Sequence, residues 1–222
     1  MKILSIDTAS NICGVSILED DKLICNLDTD TGRTHSENLM PMIEQAFNKT
    51  NLSLKNIDLI TCDIGPGSFT GIRIGVATTK AFNNSLNIPC IGISSLESLA
   101  YNLKDTTNEN DIICSIMDCK NNNCYFALYR FDKDNYQTIE NPIALSKEEV
   151  LSLLNEKYNN QSITFVGDGF CEKSVSNTLD VTNLGIAGFT KYKNNNNLGE
   201  EIVPMYLKKT QAEKQLEEKL KN

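Results

Sequence analysis

Residues 112–131, "IICSIMDCKNNNCYFALYRF", set an apolar run that ends on Asp118 against a second run that opens on Cys124, with a polar turn between them. Residues 2–20, "KILSIDTASNICGVSILED", have the same layout: Asp7 closes one run, and Cys13, six residues later, opens the next. Short apolar runs bounded by polar turns read as strands, so each copy predicts a hairpin. Each hairpin is followed by another strand that ends in Gly-x-Gly, "CDIGPGSF" (residues 62–69) and "TFVGDGF" (residues 164–170). Self-similarity of this kind is the mark of a duplicated supersecondary unit.

Working outward, residues 22–28 extend the first hairpin to three strands. Thr34-His35-Ser36-Glu37 has capping-box spacing and opens a helix along which Leu39, Ile43, Ala46 and Phe47 recur with helical period, with a local bend at Pro41. Residues 57–64 form a buried strand, followed by a glycine-rich stretch and a helix to about residue 87. Residues 88–94 are a strand and 95–103 a helix, and the polar segment 103–111 connects two lobes, 1–104 and 111–222. In the second half, 146–157 and 182–191 read as helices, 194–197 as a loop and 211–222 as a charged terminal helix. The expected class is α/β: two duplicated mixed-sheet lobes, the architecture of actin, Hsp70-type ATPases and sugar kinases, in which nucleotide sits between the lobes.

With 222 residues the chain is long enough for two small cores. No run approaches the roughly 20 apolar residues of a membrane span, and the apolar run before Asp7 is short for a signal peptide, so a cytoplasmic protein with no membrane partner is expected. The eight cysteines are scattered through apolar runs without a Cys-x-x-Cys, which suggests reduced core thiols, and with one histidine a metal site is not expected. A net charge of −8 and only three arginines argue against a broad surface for nucleic acid.

Asp7 and Asp118 end matching strands and would face each other across an interlobe cleft, where they could hold Mg²⁺ through water while Thr8, Ser10 and turn amides contact a phosphate. Alternatively each aspartate caps its own turn. In residues 63–75, "DIGPGSFTGIRIG", Gly65, Gly67 and Ser68 could cradle an anion at a helix start, with Arg73 in the first turns. No Gly-Lys-Ser/Thr follows, so this is not a Walker loop. Gly71 and Gly75, four apart, instead suggest a helix face that something approaches closely. His35 has no partner acid or nucleophile at a recognisable spacing. Met40 and Met42 beside Leu39 and Ile43 give their helix more apolar side chains than one face can bury, so a contact surface and ordinary core packing both remain open.

"ILSIDTAS", "HSENLMPMI", "GPGSFTGIRIG", "IPCIGISSLESLA", "GDG" and "VPMYLKKTQAE", in this order over nearly the whole chain, resemble the bacterial TsaB (YeaZ) family. The resemblance implies an actin/Hsp70-like two-lobe fold. It also implies a partner, the paralogue TsaD, which transfers a threonylcarbamoyl group to N6 of adenosine 37 of tRNA, with the ATPase TsaE joining the assembly. TsaD carries two metal-binding histidines, four apart, in the region matching residues 93–99; Ser95 and Leu99 stand there instead, and neither can replace histidine as a ligand. The implied role is a noncatalytic platform that pairs with TsaD and meets tRNA only through it. The resemblance places the interface on the helices over 36–49 and 69–86, involving Ser36, Leu39, Met40, Met42, Ile43, Phe47, Gly71, Ile72, Gly75, Val76 and Thr79. A homodimer is implied when TsaD is absent, and no cofactor beyond ATP or ADP with Mg at the complex interface. Two other readings stay open: a nucleotide hydrolase or kinase using Asp7 and Asp118, and direct tRNA binding near Lys208 and Lys209. Members commonly show Ala-Arg and Glu-Val-Tyr after the second-lobe aspartate, whereas Cys119-Lys120 and Asn123-Cys124-Tyr125 stand here; lysine lacks the planar fork of arginine, so a ligand contact there would differ.

Overall fold

The computed structural model describes residues 1–30, 34–108, 110–132, 135–170, 174–176, 178–195 and 201–208. The expected terminal helix 211–222 lies outside them, as do Lys209, Cys171, Arg33 and part of the 194–197 loop. Two mixed sheets carry the fold, each seeded by a hairpin. In the first, β1 (Lys2–Asp7) pairs antiparallel with β2 (Cys13–Glu19), and β3 (Lys22–Thr29) adds to the far side of β2. Helix α1 (His35–Thr50) crosses to β4 (Leu59–Asp63), which lies parallel to β1. Helix α2 (Phe69–Leu86) then crosses to β5 (Cys90–Ile93), parallel to β4, for a sheet order β3-β2-β1-β4-β5.

After the short α3 (Ser95–Tyr101), the second sheet repeats the plan. Strands β6 (Ile112–Asp118) and β7 (Asn123–Asp132) form the hairpin, and β8 (Asn135–Ser146) adds to β7. Helix α4 (Lys147–Lys157) then leads to β9 (Ile163–Val166), parallel to β6, for the order β8-β7-β6-β9. The duplication is therefore real at the level of strand order and direction. Strand β8 is the third strand of the second copy, to which the sequence reading assigned no run.

Strand alternation divides the apolar residues between three layers. Leu4, Ile6, Ile60 and Cys62 turn outward under α1 and α2, while Ile112, Cys114, Phe126 and Leu128 of the second sheet turn outward to Val150 and Leu154 of α4. Ile3, Leu59 and Ile93 face the other way and share a central core with Leu96 and Leu99 of α3, Tyr125 and Tyr129 of β7, and Leu184 of α5 (Val181–Asn195). Helix α5 belongs to the second half of the chain but lies on the first sheet, where Gly188 lets its backbone come against Thr61. The two sheets thus share one core through α3 and α5. None of the described helices is long and apolar enough to cross a membrane.

Candidate functional site

Parallel pairing of β1 with β4 sets Ile6 against Cys62, so the next residues, Asp7 and Asp63, end adjacent strands side by side. Both are buried. The Asp7 carboxylate accepts from the Ala9 amide at 2.8 Å, and one Asp63 oxygen accepts from the Gly65 amide and the Ser95 hydroxyl, each at 2.7 Å. The other Asp63 oxygen has no partner among the described residues. Burial pushes the Asp7 carboxyl up to about 6, against the smaller opposing effect of the Ala9 amide. Burial, and then the neighbouring Asp7, hold Asp63 well above the ordinary carboxylate range. A third carboxyl, Glu97 on α3, is raised by burial although the Tyr136 hydroxyl and Lys191 partly offset it. The sequence reading missed Asp63 as a partner for Asp7. The signal was present, since the run 57–64 carries an aspartate near its end, as 2–7 and 112–118 do.

The remaining members of the expected phosphate site are engaged within the chain. The Thr8 hydroxyl donates to the Gly71 carbonyl at 2.8 Å, and the Ser10 hydroxyl accepts from the Ile12 amide at 3.1 Å. The Ser68 amide donates to the Ala9 carbonyl at 2.7 Å, while its hydroxyl caps α2 by accepting from Gly71 at 3.2 Å. Gly65 has φ +101° and Gly67 lies against the Ala9 carbonyl, so both serve close packing of the loop on the β1–β2 turn. Arg73 donates to the Tyr206 hydroxyl at 2.7 Å. His35, the first residue of α1, donates from Nε2 to the Ser10 carbonyl at 2.8 Å. The loop closes on itself.

Asp7 is buried, whereas Asp118 is exposed. A cavity of about 250 Å³ between the lobes is lined by Ser10, Asn11, Asp30, Leu99, Met117, Asp168 and Thr178, among others; among the described residues its lining holds neither aspartate and no lysine or arginine. Asp118 is exposed, accepts from the Lys120 amide at 3.2 Å and pairs with Lys147 at 3.3 Å, while its own amide donates to Asp168 at 2.7 Å. Asp118 therefore closes its own turn.

The expected contact helices divide into core and surface. Leu39, Met42, Ile43, Gly71, Ile72, Gly75, Val76 and Thr79 are buried inside the chain's own core, which corrects their assignment to a partner surface. Gly71 and Gly75 thin α2 for β1 and its turn rather than for another subunit: a Cβ at 71 would collide with the Thr8 carbonyl, and one at 75 would lie 2.6 Å from the Thr8 hydroxyl. Ser36 and Met40 remain exposed, Met40 by 51%, and Phe47 is half-buried. Ser95 and Leu99 are both buried, with the Ser95 hydroxyl held by Asp63.

Residues 201–208, which include the start of the family-like stretch "VPMYLKKTQAE", run back over the first lobe. Lys80 pairs with Glu201 at 2.9 Å, Ile202 enters the outer core, and the Met205 amide donates to the Ile64 carbonyl at 2.7 Å. Tyr206 stacks on Phe69 with centroids 4.9 Å apart, and Lys208 reaches the Cys119 carbonyl of the second lobe at 3.0 Å.

Two duplicated mixed sheets sharing a core, with aspartates at the carboxyl ends of β1, β4 and β6, define an α/β protein of two repeated lobes. A family profile described as "TsaD: tRNA N6-adenosine threonylcarbamoyltransferase" matches residues 29–217, and the chain belongs to this family, in its TsaB (YeaZ) branch. Among its relatives, the tRNA threonylcarbamoyladenosine biosynthesis protein TsaB of Bacillus subtilis (strain 168) is 29% identical over 229 residues, covering 96% of each chain. The protein of the same description from Escherichia coli (strain K12) is 28% identical and covers 77% of this chain and 72% of its own. The fold matches the solved YeaZ from Pseudomonas aeruginosa with a TM-score of 0.77 at 21% identity, over 93% of this chain and 99% of that one.

Proposed function

We propose that the chain acts in tRNA threonylcarbamoyladenosine biosynthesis, in the cytoplasm, as a noncatalytic subunit that pairs with the TsaD transferase and lets TsaE join the pair. The observation that carries this reading is family membership over residues 29–217 combined with the state of Ser95 and Leu99. Where the resemblance implies two metal-binding histidines, a buried hydroxyl is tied to Asp63 and a buried apolar chain packs the core. Neither donates to a metal ion. The exposed Ser36 and Met40 and the half-buried Phe47 of α1 supply a surface for TsaD, and for a second copy of the chain when TsaD is absent. With a net charge of −8, tRNA is met through TsaD.

The residues present do not suit a nucleotide held by this chain alone. The Gly65 and Ser68 amides and the Thr8, Ser10 and Ser68 hydroxyls are engaged in internal bonds, and the described lining of the interlobe cavity brings Asp30 and Asp168 but no cation to a phosphate. ATP or ADP with Mg, if used, then belongs to the interface of the complex. Light scattering of the purified chain mixed with its TsaD tests the reading: a heterodimer is expected at micromolar concentration. No association, or steady ATP turnover by the chain alone that Asp7→Ala abolishes, would overturn it.

A further inference from the structure

The outer edge of the first sheet is β3, Lys22–Thr29, a strand without proline or glycine. Among the described residues no other strand meets its outer row of amides and carbonyls, the feature by which an edge templates further pairing. The edge strand of the second sheet, β8, differs in carrying Pro142, which cannot donate to an added strand. Leu23 and Ile24 of β3 are 49% and 42% exposed.

Beside this edge, α1 lies over the sheet and leaves a groove of about 490 Å³ between helix and strand. Leu27, Pro41 and Met42 give it an apolar lining, and Asp28, Glu37 and Gln45 a polar, acidic one. The charge continues along the strand, with Asp20 and Asp21 before it and Asp30 after it, against the single Lys22 within it. Glu37, Pro41 and Gln45 repeat at four-residue spacing on a different stripe of α1 from Ser36 and Met40, so the groove is separate from the surface assigned to TsaD.

We propose that β3 and its groove accept an extended, basic segment of a partner polypeptide as an added β-strand. Main-chain bonds to β3 supply pairing, apolar side chains enter between Leu27 and Met42, and lysine or arginine side chains meet Asp28 and Glu37. The acidic lining excludes nucleic acid. It also disfavours a second copy of this chain, which would bring acid against acid.

The test uses the full chain and three labelled ten-residue probes, read by fluorescence anisotropy: alternating valine and lysine, alternating valine and glutamate, and the valine-lysine peptide with alternate backbone amides methylated. The valine-lysine peptide is expected to bind, with the glutamate and methylated probes at least tenfold weaker. Asp28→Asn with Glu37→Gln keeps the acceptor that caps α1, and should weaken binding by about fivefold or more. The same loss of charge at Asp105→Asn with Glu156→Gln, away from the groove, should leave it unchanged. Equal binding of the methylated probe, or equal losses in both double variants, would reduce the effect to general charge attraction and overturn the proposal. So would no binding at all, or self-association of the chain that the Asp28→Asn, Glu37→Gln pair alters.

Discussion

The Thr8 hydroxyl donates to the main-chain carbonyl of Gly71 at 2.8 Å, and the same side chain lies where a Cβ at Gly75 would come within 2.6 Å. One threonine after β1 thus meets two glycines one turn apart on α2. The glycines fix how closely the helix approaches the sheet, and through α2 the position of the loop that covers Asp63.

Replacing Gly71 by alanine should therefore destabilise the chain itself. The added Cβ meets the Thr8 backbone, which cannot move aside as a flexible side chain would. Overpacking of this kind costs about 1–3 kcal/mol, and at about 2–4 °C per kcal/mol for a chain of this size the expected loss in Tm is about 5 °C. Calorimetry of the isolated protein measures it; an unchanged Tm would mean that α2 is free to shift.

The exposed face of α1 behaves differently. Met40→Glu changes a half-exposed side chain outside the core, so Tm should move by less than about 2 °C, because surface substitutions usually cost under about 0.5 kcal/mol. Association with TsaD should weaken by at least about tenfold in a titration. Loss of Tm together with association would instead assign Met40 to the fold.

Much of this arrangement was legible because it is local. The two aspartate-ended runs, their polar turns and the Gly-x-Gly ends each lie within a few residues, and they pointed to the duplication and the two sheets. Strand β8 was not legible: "NYQTIENPIALS" interrupts its apolar residues with Glu140, Asn141 and Pro142, and the strand forms because β7 supplies a partner. The spacing of Gly71 and Gly75 revealed a closely approached face but not its neighbour, which turned out to be Thr8 of the same chain. Asp63 beside Asp7 likewise depends on a parallel register between strands more than 50 residues apart, which no local pattern records.

That register gives stability a pH dependence of unusual sign. The Asp7 carboxyl goes from its ordinary 3.8 to about 6 on folding, so between about pH 4 and 6 the folded state holds a proton that the unfolded chain has released. Its contribution is greatest at the acid end of the window and is lost as pH rises through about 6. Asp7→Asn keeps an acceptor for the Ala9 amide and removes the titration. Urea unfolding should show the variant gaining on the native chain between pH 4 and 7, by about 2–3 kcal/mol, since each pH unit between the unfolded and folded values corresponds to about 1.4 kcal/mol. A difference that stays constant across this range would mean that Asp7 ionises in the fold at its ordinary pKa.

The returning segment makes the last prediction. Tyr206 is 42% exposed, yet it stacks on Phe69 at an interplanar angle of 19° and accepts from Arg73, next to the Met205 amide that bonds Ile64. If the stack holds the segment down, Tyr206→Ala should speed hydrogen exchange at the Met205 amide by about 5–30-fold, the equivalent of the roughly 1–2 kcal/mol expected from the aromatic contact and its buried area. Tyr206→Phe keeps the ring and loses only the hydroxyl, and should recover most of the protection. If phenylalanine exchanges as fast as alanine, the bond to Arg73 rather than the stack fastens the segment. If neither variant changes exchange, Ile202 and the Lys80–Glu201 pair hold it without Tyr206.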